Sequence, residues 1–125
     1  MKQIIHTSKA PAALGPYSQA VTCNGMVYCS GQIGILPDSG AFAGDTTEAQ
    51  TRQVMINLGE VLVKAGSGFG NVVKCSIFLA DMDDFPIVNE IYGSYFKSEP
   101  PARETVAVKT LPKNARVEIS CVAYV

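Results

Sequence analysis

Two stretches constrain the fold more than any other part of the chain. VVKCSIFLA at 72–80 and VEISCVAY at 117–124 alternate residue by residue, as a strand lying between two unlike faces must. In the first, Val73, Cys75, Ile77 and Leu79 make one wholly apolar face, against Val72, Lys74, Ser76, Phe78 and Ala80 on the other. The second sets Val117, Ile119, Cys121 and Ala123 against Glu118, Ser120, Val122 and Tyr124. Each strand therefore has a core side and a mixed side. The mixed side is too apolar for bare solvent and too polar for the core of a monomer.

The other layers follow from shorter signals. Residues 2–6 read as a short first strand. Residues 18–22 and 26–31 flank Asn24-Gly25, a strong hairpin signal because both positions tolerate positive φ. Residues 32–45 read as loop. A helix begins near Thr46 or Thr47, where Thr47 and Gln50 resemble a capping box; Val54, Leu58, Val61, Leu62 and Ala65 recur at helical spacing until Gly66. After the strand at 72–80, Asp83 or Asp84 caps a second helix with Pro86 in its first turn. Phe85, Val88, Ile91, Tyr92, Tyr95 and Phe96 form its apolar side, and Pro100-Pro101 stops it. Strands at 104–109 and 117–124 complete the order βββαβαββ, an α+β fold in a single domain over residues 1–125. Two helices cover only one face of so wide a sheet, so the mixed face predicts a homo-oligomer whose interface leaves polar crevices.

Charge narrows the choice of partner. The formal net charge is −1 and the ten Lys and Arg residues are scattered singly, with no two adjacent. Phosphate neutralisation supplies most nucleic-acid affinity, so the missing basic stripe counts against RNA or DNA as the main partner. MKQIIHTSKAPAALGPY has too short an apolar run for a signal peptide, and no stretch is long enough to span a bilayer; the expected location is intracellular, in the cytoplasm. Cys23, Cys29, Cys75 and Cys121 have no CxxC spacing and lie in or beside strand-like runs, which reads as reduced structural thiols. With His6 as the single histidine, the residue set argues against zinc.

Five features could carry chemistry. Arg103 follows Pro100-Pro101-Ala102, which stiffen the approach to a strand; it reads equally as a planar fork for a carboxylate or as a solvated surface arginine. Glu118 is the one carboxylate of its strand, on the mixed face with Ser120. In a partly dry interface its pKa would rise and it could act as base or acid; the alternative is a rim salt bridge with Lys74 or Lys109. Gly15-Pro16-Tyr17-Ser18 is a rigid turn presenting Tyr17, whose commoner use is packing with a satisfied hydroxyl. Ser30-Gly31-Gln32 ends a strand, where glycine lets a ligand approach the backbone. Phe85 and Asn89, four apart, share one side of the second helix. Gly66, Gly68 and Gly70 precede a strand rather than a helix, so they form neither a Walker loop nor a dinucleotide fingerprint.

Six segments in order, APAALGPYSQAV at 10–21, SGQIG at 30–34, VVKCSIFLADMDDF at 72–85, VNEIYGSYF at 88–96, PPARETVAV at 100–108 and LPKNARVEISCVAYV at 111–125, resemble the reactive intermediate deaminase (RidA, or YjgF) family almost end to end. The resemblance implies a chorismate-mutase-like α+β fold, a six-stranded mixed sheet with two helices on one face. It implies a homotrimer with three equivalent sites in the clefts between subunits. It also implies cofactor-free hydrolysis of reactive 2-imino acids, or their enamine tautomers, released by pyridoxal-phosphate dehydratases, to 2-keto acids and ammonia. By the same resemblance Arg103 binds the substrate carboxylate, Glu118 orients or activates water and Tyr17 borders the reacting carbon. Ser30, Gly31, Phe85, Asn89 and Thr105 match pocket-lining positions.

The chain departs from the family pattern in places. Position 105 is Thr where some members carry Cys. Glu104 stands beside the anion-binding arginine, and strand alternation should point it away. Ser120 takes the place of a second glutamate, and Pro101 replaces a common Phe. The competing readings are an endoribonuclease or translation inhibitor, and a non-catalytic small-ligand sensor or chaperone-like protein.

Overall fold

The structure, a computed structural model, describes residues 1–125 throughout. Strands β1 (Gln3–Ile5), β2 (Ala20–Cys23) and β3 (Met26–Ile33) are followed by helix α1 (Thr47–Lys64), strand β4 (Val72–Leu79), helix α2 (Phe85–Gly93) and strands β5 (Ala102–Ala107) and β6 (Val117–Tyr124). The element order is the expected βββαβαββ. One six-stranded sheet runs β1-β2-β3-β6-β4-β5. Only β4 and β5 are parallel, because α2 carries the chain back between them. Asn24 and Gly25 take φ of 52° and 76°, the two left-handed positions that a tight hairpin needs.

Both helices lie on one face. Val54, Met55, Leu58, Val61 and Leu62 of α1 and Val88 and Ile91 of α2 join Val27, Ile77, Leu79, Val117, Ile119 and Ala123 of the sheet in one buried cluster. Burying a side chain of this size contributes about 1.5–3 kcal/mol, so this layer dominates the stability of the fold. Val117, Ile119, Cys121 and Ala123 face the core as their alternation requires.

Several boundaries differ from the sequence reading, each for a local reason. A bulge between Val72 and Lys74 shifts the register with β6, so Val72 is buried and Val73 is 42% exposed. The core face of β4 is therefore Val72, Cys75, Ile77 and Leu79. β2 starts at Ala20 because Gln19 is buried and holds the N-terminal loop: its Oε1 accepts from Thr7 N at 2.7 Å and its Nε2 donates to Pro11 O at 2.8 Å. β5 begins two residues early, where the parallel ladder first pairs Lys74 with Ala102. α2 ends at Gly93, well short of Pro100-Pro101. Tyr95 and Phe96 N–H groups bond back to Tyr92 and Gly93 at three-residue spacing, which tightens the end and brings Phe96 against Tyr92.

The cap of α1 is also not the expected box. Thr46 caps it by accepting from Ala49 N at 3.1 Å. Thr47 and Gln50 serve a polar hub instead. Arg116 Nη2 meets Asp84 Oδ2 at 2.7 Å, Thr47 Oγ1 donates to the same oxygen at 2.8 Å, and Gln50 Oε1 accepts from Arg116 N at 2.8 Å. This hub ties together the starts of α1, α2 and β6.

Candidate functional site

Arg103 is the second residue of β5, an edge strand. Its neighbour across the parallel ladder is Cys75, whose side chain lies in the core, so Arg103 points to the helix-covered side of the sheet. There α2 meets it. Phe85, Asn89 and Tyr92 fall on one stripe of that helix. The guanidinium carbon lies 5.4 Å from the Phe85 ring centroid and 5.2 Å from that of Tyr92. Nη1 donates to Asn89 Oδ1 at 2.7 Å. The chain has three side-chain ion pairs and none involves Arg103, so its charge is uncompensated. Two cavities open beside it. One of about 390 Å³ is lined by Asn89, Tyr92, Phe96, Pro100, Pro101 and Gly93; another of about 340 Å³ by Met82, Phe85 and Thr105. Thr105 Oγ1 is buried there without a hydrogen-bond partner. A cation held by two rings and an amide, with donors to spare, can receive an anion.

A second cluster gathers around Glu118. β3 bulges at Ser30 and Gly31, where the register with β6 passes from Cys29↔Cys121 to Gln32↔Ile119. The Glu118 side chain lies over Gly31: a Cβ there would sit 2.8 Å from the carboxyl carbon. The carboxylate occupies the side-chain space at Gly31, which is a reason for glycine there beside the ligand approach expected from the sequence. Ser30 anchors the neighbouring loop, donating from Oγ to Ser18 O at 2.6 Å and from N to Gln19 O at 2.9 Å. Tyr17, one residue before that contact, is 55% exposed on its Gly15-Pro16 turn. Tyr17, Ser30, Gly31 and Glu118 thus share one neighbourhood.

The rim salt bridge open to Glu118 does not form. Lys74 pairs instead with Glu104 at 3.0 Å, and Glu104 also accepts from Ser76. The Ser76 bond, then Lys74, lower the Glu104 pKa, and alternation does point that carboxylate away from Arg103. Glu118 has no hydrogen bond or ion pair, and burial raises its pKa above the usual carboxylate value.

The structure does not bring all the candidate residues together. Arg103, Phe85, Asn89 and Thr105 form one group on the helix side. Tyr17, Ser30, Gly31 and Glu118 form the other, with Glu118 on the uncovered face opposite Phe78. β4 lies between β5 and β6, and the registers place Glu118 level with Val106, three residues along from Arg103. Strand spacing and rise put the two Cα atoms roughly 14 Å apart, with their side chains on opposite faces. Met82 and Tyr92 were not singled out as site residues. The 85–89–92 spacing on one helical stripe was the available signal for Tyr92.

A family model described as Endoribonuclease L-PSP matches residues 7–125. Over 122 residues the chain is 50% identical to Reactive Intermediate Deaminase A, chloroplastic, of Arabidopsis thaliana, a match covering 98% of this chain and 65% of that protein. It is 49% identical over 123 residues to 2-iminobutanoate/2-iminopropanoate deaminase of Homo sapiens, covering 98% of this chain and 90% of the human one. The crystal structure of E. coli TdcF with bound serine has a TM-score of 0.94 at 36% identity, each chain covered to 98%.

Proposed function

We propose that this chain, which belongs to the Endoribonuclease L-PSP family that includes the reactive intermediate deaminases, hydrolyses small 2-imino acids to 2-keto acids and ammonia. The observation that carries the reading is the unpaired Arg103 guanidinium, clamped by Phe85, Tyr92 and Asn89 beside two small cavities. Relatives at about half identity bear imine-deaminase names, and a solved relative holds serine, a molecule with the same α-carboxylate.

The chemistry asks little of the protein. The carbon of a protonated imine is already electrophilic, so water adds to it directly: R–C(=NH2⁺)–COO⁻ plus H2O gives R–CO–COO⁻ plus NH4⁺. Arg103 holds the carboxylate and so fixes where the imine carbon lies. Glu118, in its ionised form, takes a proton from the attacking water and returns it to the departing nitrogen. Its burial brings its pKa nearer the working pH, which suits a group that must both accept and release a proton. Tyr17 borders the reacting carbon, and Thr105 lines the carboxylate end. Ser120 lies two residues from Glu118 on the same face of β6, and this proton path requires no second carboxylate.

One chain holds the two groups on opposite sides of its sheet, so the site closes between copies. The uncovered face, with Tyr28, Phe78, Val106, Val122 and Tyr124 among Lys74, Ser76 and Glu104, supports that packing. The arrangement proposed is a trimer, Arg103 of one subunit facing Glu118 of the next. Four unpaired cysteines suit a reducing compartment such as the cytosol. No helix is long and apolar enough to cross a membrane.

The test couples the protein to a threonine dehydratase and follows keto-acid release against capture of the imine by semicarbazide. Accelerated release supports the reading; no acceleration with any 2-imino acid overturns it. Mixing and reassembling Arg103→Ala with Glu118→Ala subunits tests the shared site. About a quarter of sites should regain both wild-type groups if neighbours share them, and none if each chain supplies its own.

A further inference from the structure

Tyr92 carries a polar atom that nothing in the fold uses. The residue is 4% exposed, and its hydroxyl is buried without a hydrogen-bond partner. The Cys75 thiol lies close to it and is a weak partner at most. Leaving a hydroxyl so placed is costly, and a phenylalanine would pack the same ring without that cost. What the position does use is the ring. One face lies 5.2 Å from the Arg103 guanidinium carbon, and Phe96 backs the ring with centroids 4.8 Å apart. Phe96 in turn meets Phe69 at 5.7 Å, edge to face. Phe69 sits against Gly59 of α1, where a Cβ would come within 2.9 Å of its ring. A run of aromatic rings thus connects the first helix to the Arg103 guanidinium.

We propose that Tyr92 is a positioning residue, fixing the plane of the Arg103 guanidinium through its ring face so that the free donors meet the substrate carboxylate. The inference rests on the proposed carboxylate-binding role of Arg103. Asn89 holds one nitrogen; a single hydrogen bond leaves the fork free to swing about it. Phe85 and Tyr92 remove that freedom by closing on the guanidinium from the helix side. Because the ring and not the hydroxyl acts, the conservative variant should retain function.

The test compares wild type, Tyr92→Phe and Tyr92→Leu in three readouts: steady-state kcat and KM for imine hydrolysis, calorimetric affinity for 2-oxobutanoate, and the NMR shift of the Arg103 Nε–H. Tyr92→Phe should stay within about twofold of wild type in every readout. Tyr92→Leu should raise KM and the 2-oxobutanoate Kd by about tenfold while kcat changes less than threefold, and should move the Arg103 resonance as the ring current is lost. Unchanged KM and Kd in a folded Tyr92→Leu would overturn the proposal. So would a Tyr92→Phe variant as impaired as Tyr92→Leu, since the hydroxyl would then be the active part. If wild type turns over no imine yet the Kd and NMR changes appear as expected, the deaminase reading fails and the positioning role stands.

Discussion

The two candidate half-sites are built in opposite ways. Arg103 is over-determined: two rings and an amide fix it, and its edge-strand position leaves its outer donors free. Glu118 is under-determined, with no hydrogen bond and no ion pair, held only by the space that Gly31 leaves beneath it. The difference suits the tasks proposed for them. A group that only binds a carboxylate gains from being rigid before the substrate arrives. A group that moves a proton must change charge, and strong partners would lock it into one state.

The largest effect should come from Arg103→Ala, with kcat/KM for imine hydrolysis falling by about a thousandfold as the charged fork is lost. Its fold should be unchanged by circular dichroism, because Arg103 is exposed and the buried cluster holds α2 to the sheet without it. An Arg103→Ala enzyme with full activity would remove the rigid half of the comparison.

Glu118→Gln should cost about a hundredfold in kcat with little change in KM, measured in the same assay. Its stability should show the reverse sign. Burial raises the folded-state pKa of Glu118, so the folded chain binds more protons than the unfolded one between the ordinary carboxylate value and the raised one. Wild-type stability relative to Glu118→Gln therefore falls as pH rises through that window. Above it the variant should melt at or above the wild-type temperature; below it the two should converge. Wild-type activity should rise with pH across the same window, as the base ionises.

Gly31→Ala sharpens the point that the seat beneath Glu118 matters. The added methyl displaces the carboxylate, and kcat should fall by about tenfold with the Arg103 half and product affinity intact. An unaffected kcat would show that Glu118 needs no fixed seat. The smallest effect on catalysis should come from Asp84→Ala in the hub. That change leaves Arg116 and Thr47 without their shared acceptor and should cost about 1–2 kcal/mol of stability, a few degrees in the melting temperature, with kcat/KM nearly unchanged.

Much of the fold is legible in the sequence. The alternation of 117–124 defines both faces of β6, Asn24-Gly25 defines the hairpin, and the spacing from Val54 to Leu62 defines the buried side of α1. These are local properties, in which period and backbone preference act within a few residues. The mixed second face of the sheet was visible the same way. Arg103 and Glu118 were also visible as candidates, because a proline-braced arginine and a lone carboxylate in an apolar strand are conspicuous in one dimension.

What only the tertiary structure decided depends on which strands lie beside one another. The bulges at Val73 and at Ser30-Gly31 arise from register with β6, so no periodicity in β3 or β4 alone could reveal them. That Glu118 lies over the side-chain position of Gly31 follows from the pairing of β3 with β6. Lys74 was free to pair with Glu118 until β5 brought Glu104 closer. Most of all, strand order put Arg103 and Glu118 on opposite faces of one sheet. Residue identity determined that the chain carries a proline-braced arginine and a lone carboxylate in an apolar strand. The arrangement of the sheet decided that one copy cannot bring them together, because two side chains of opposite orientation on separated strands cannot meet within the layer that holds them both.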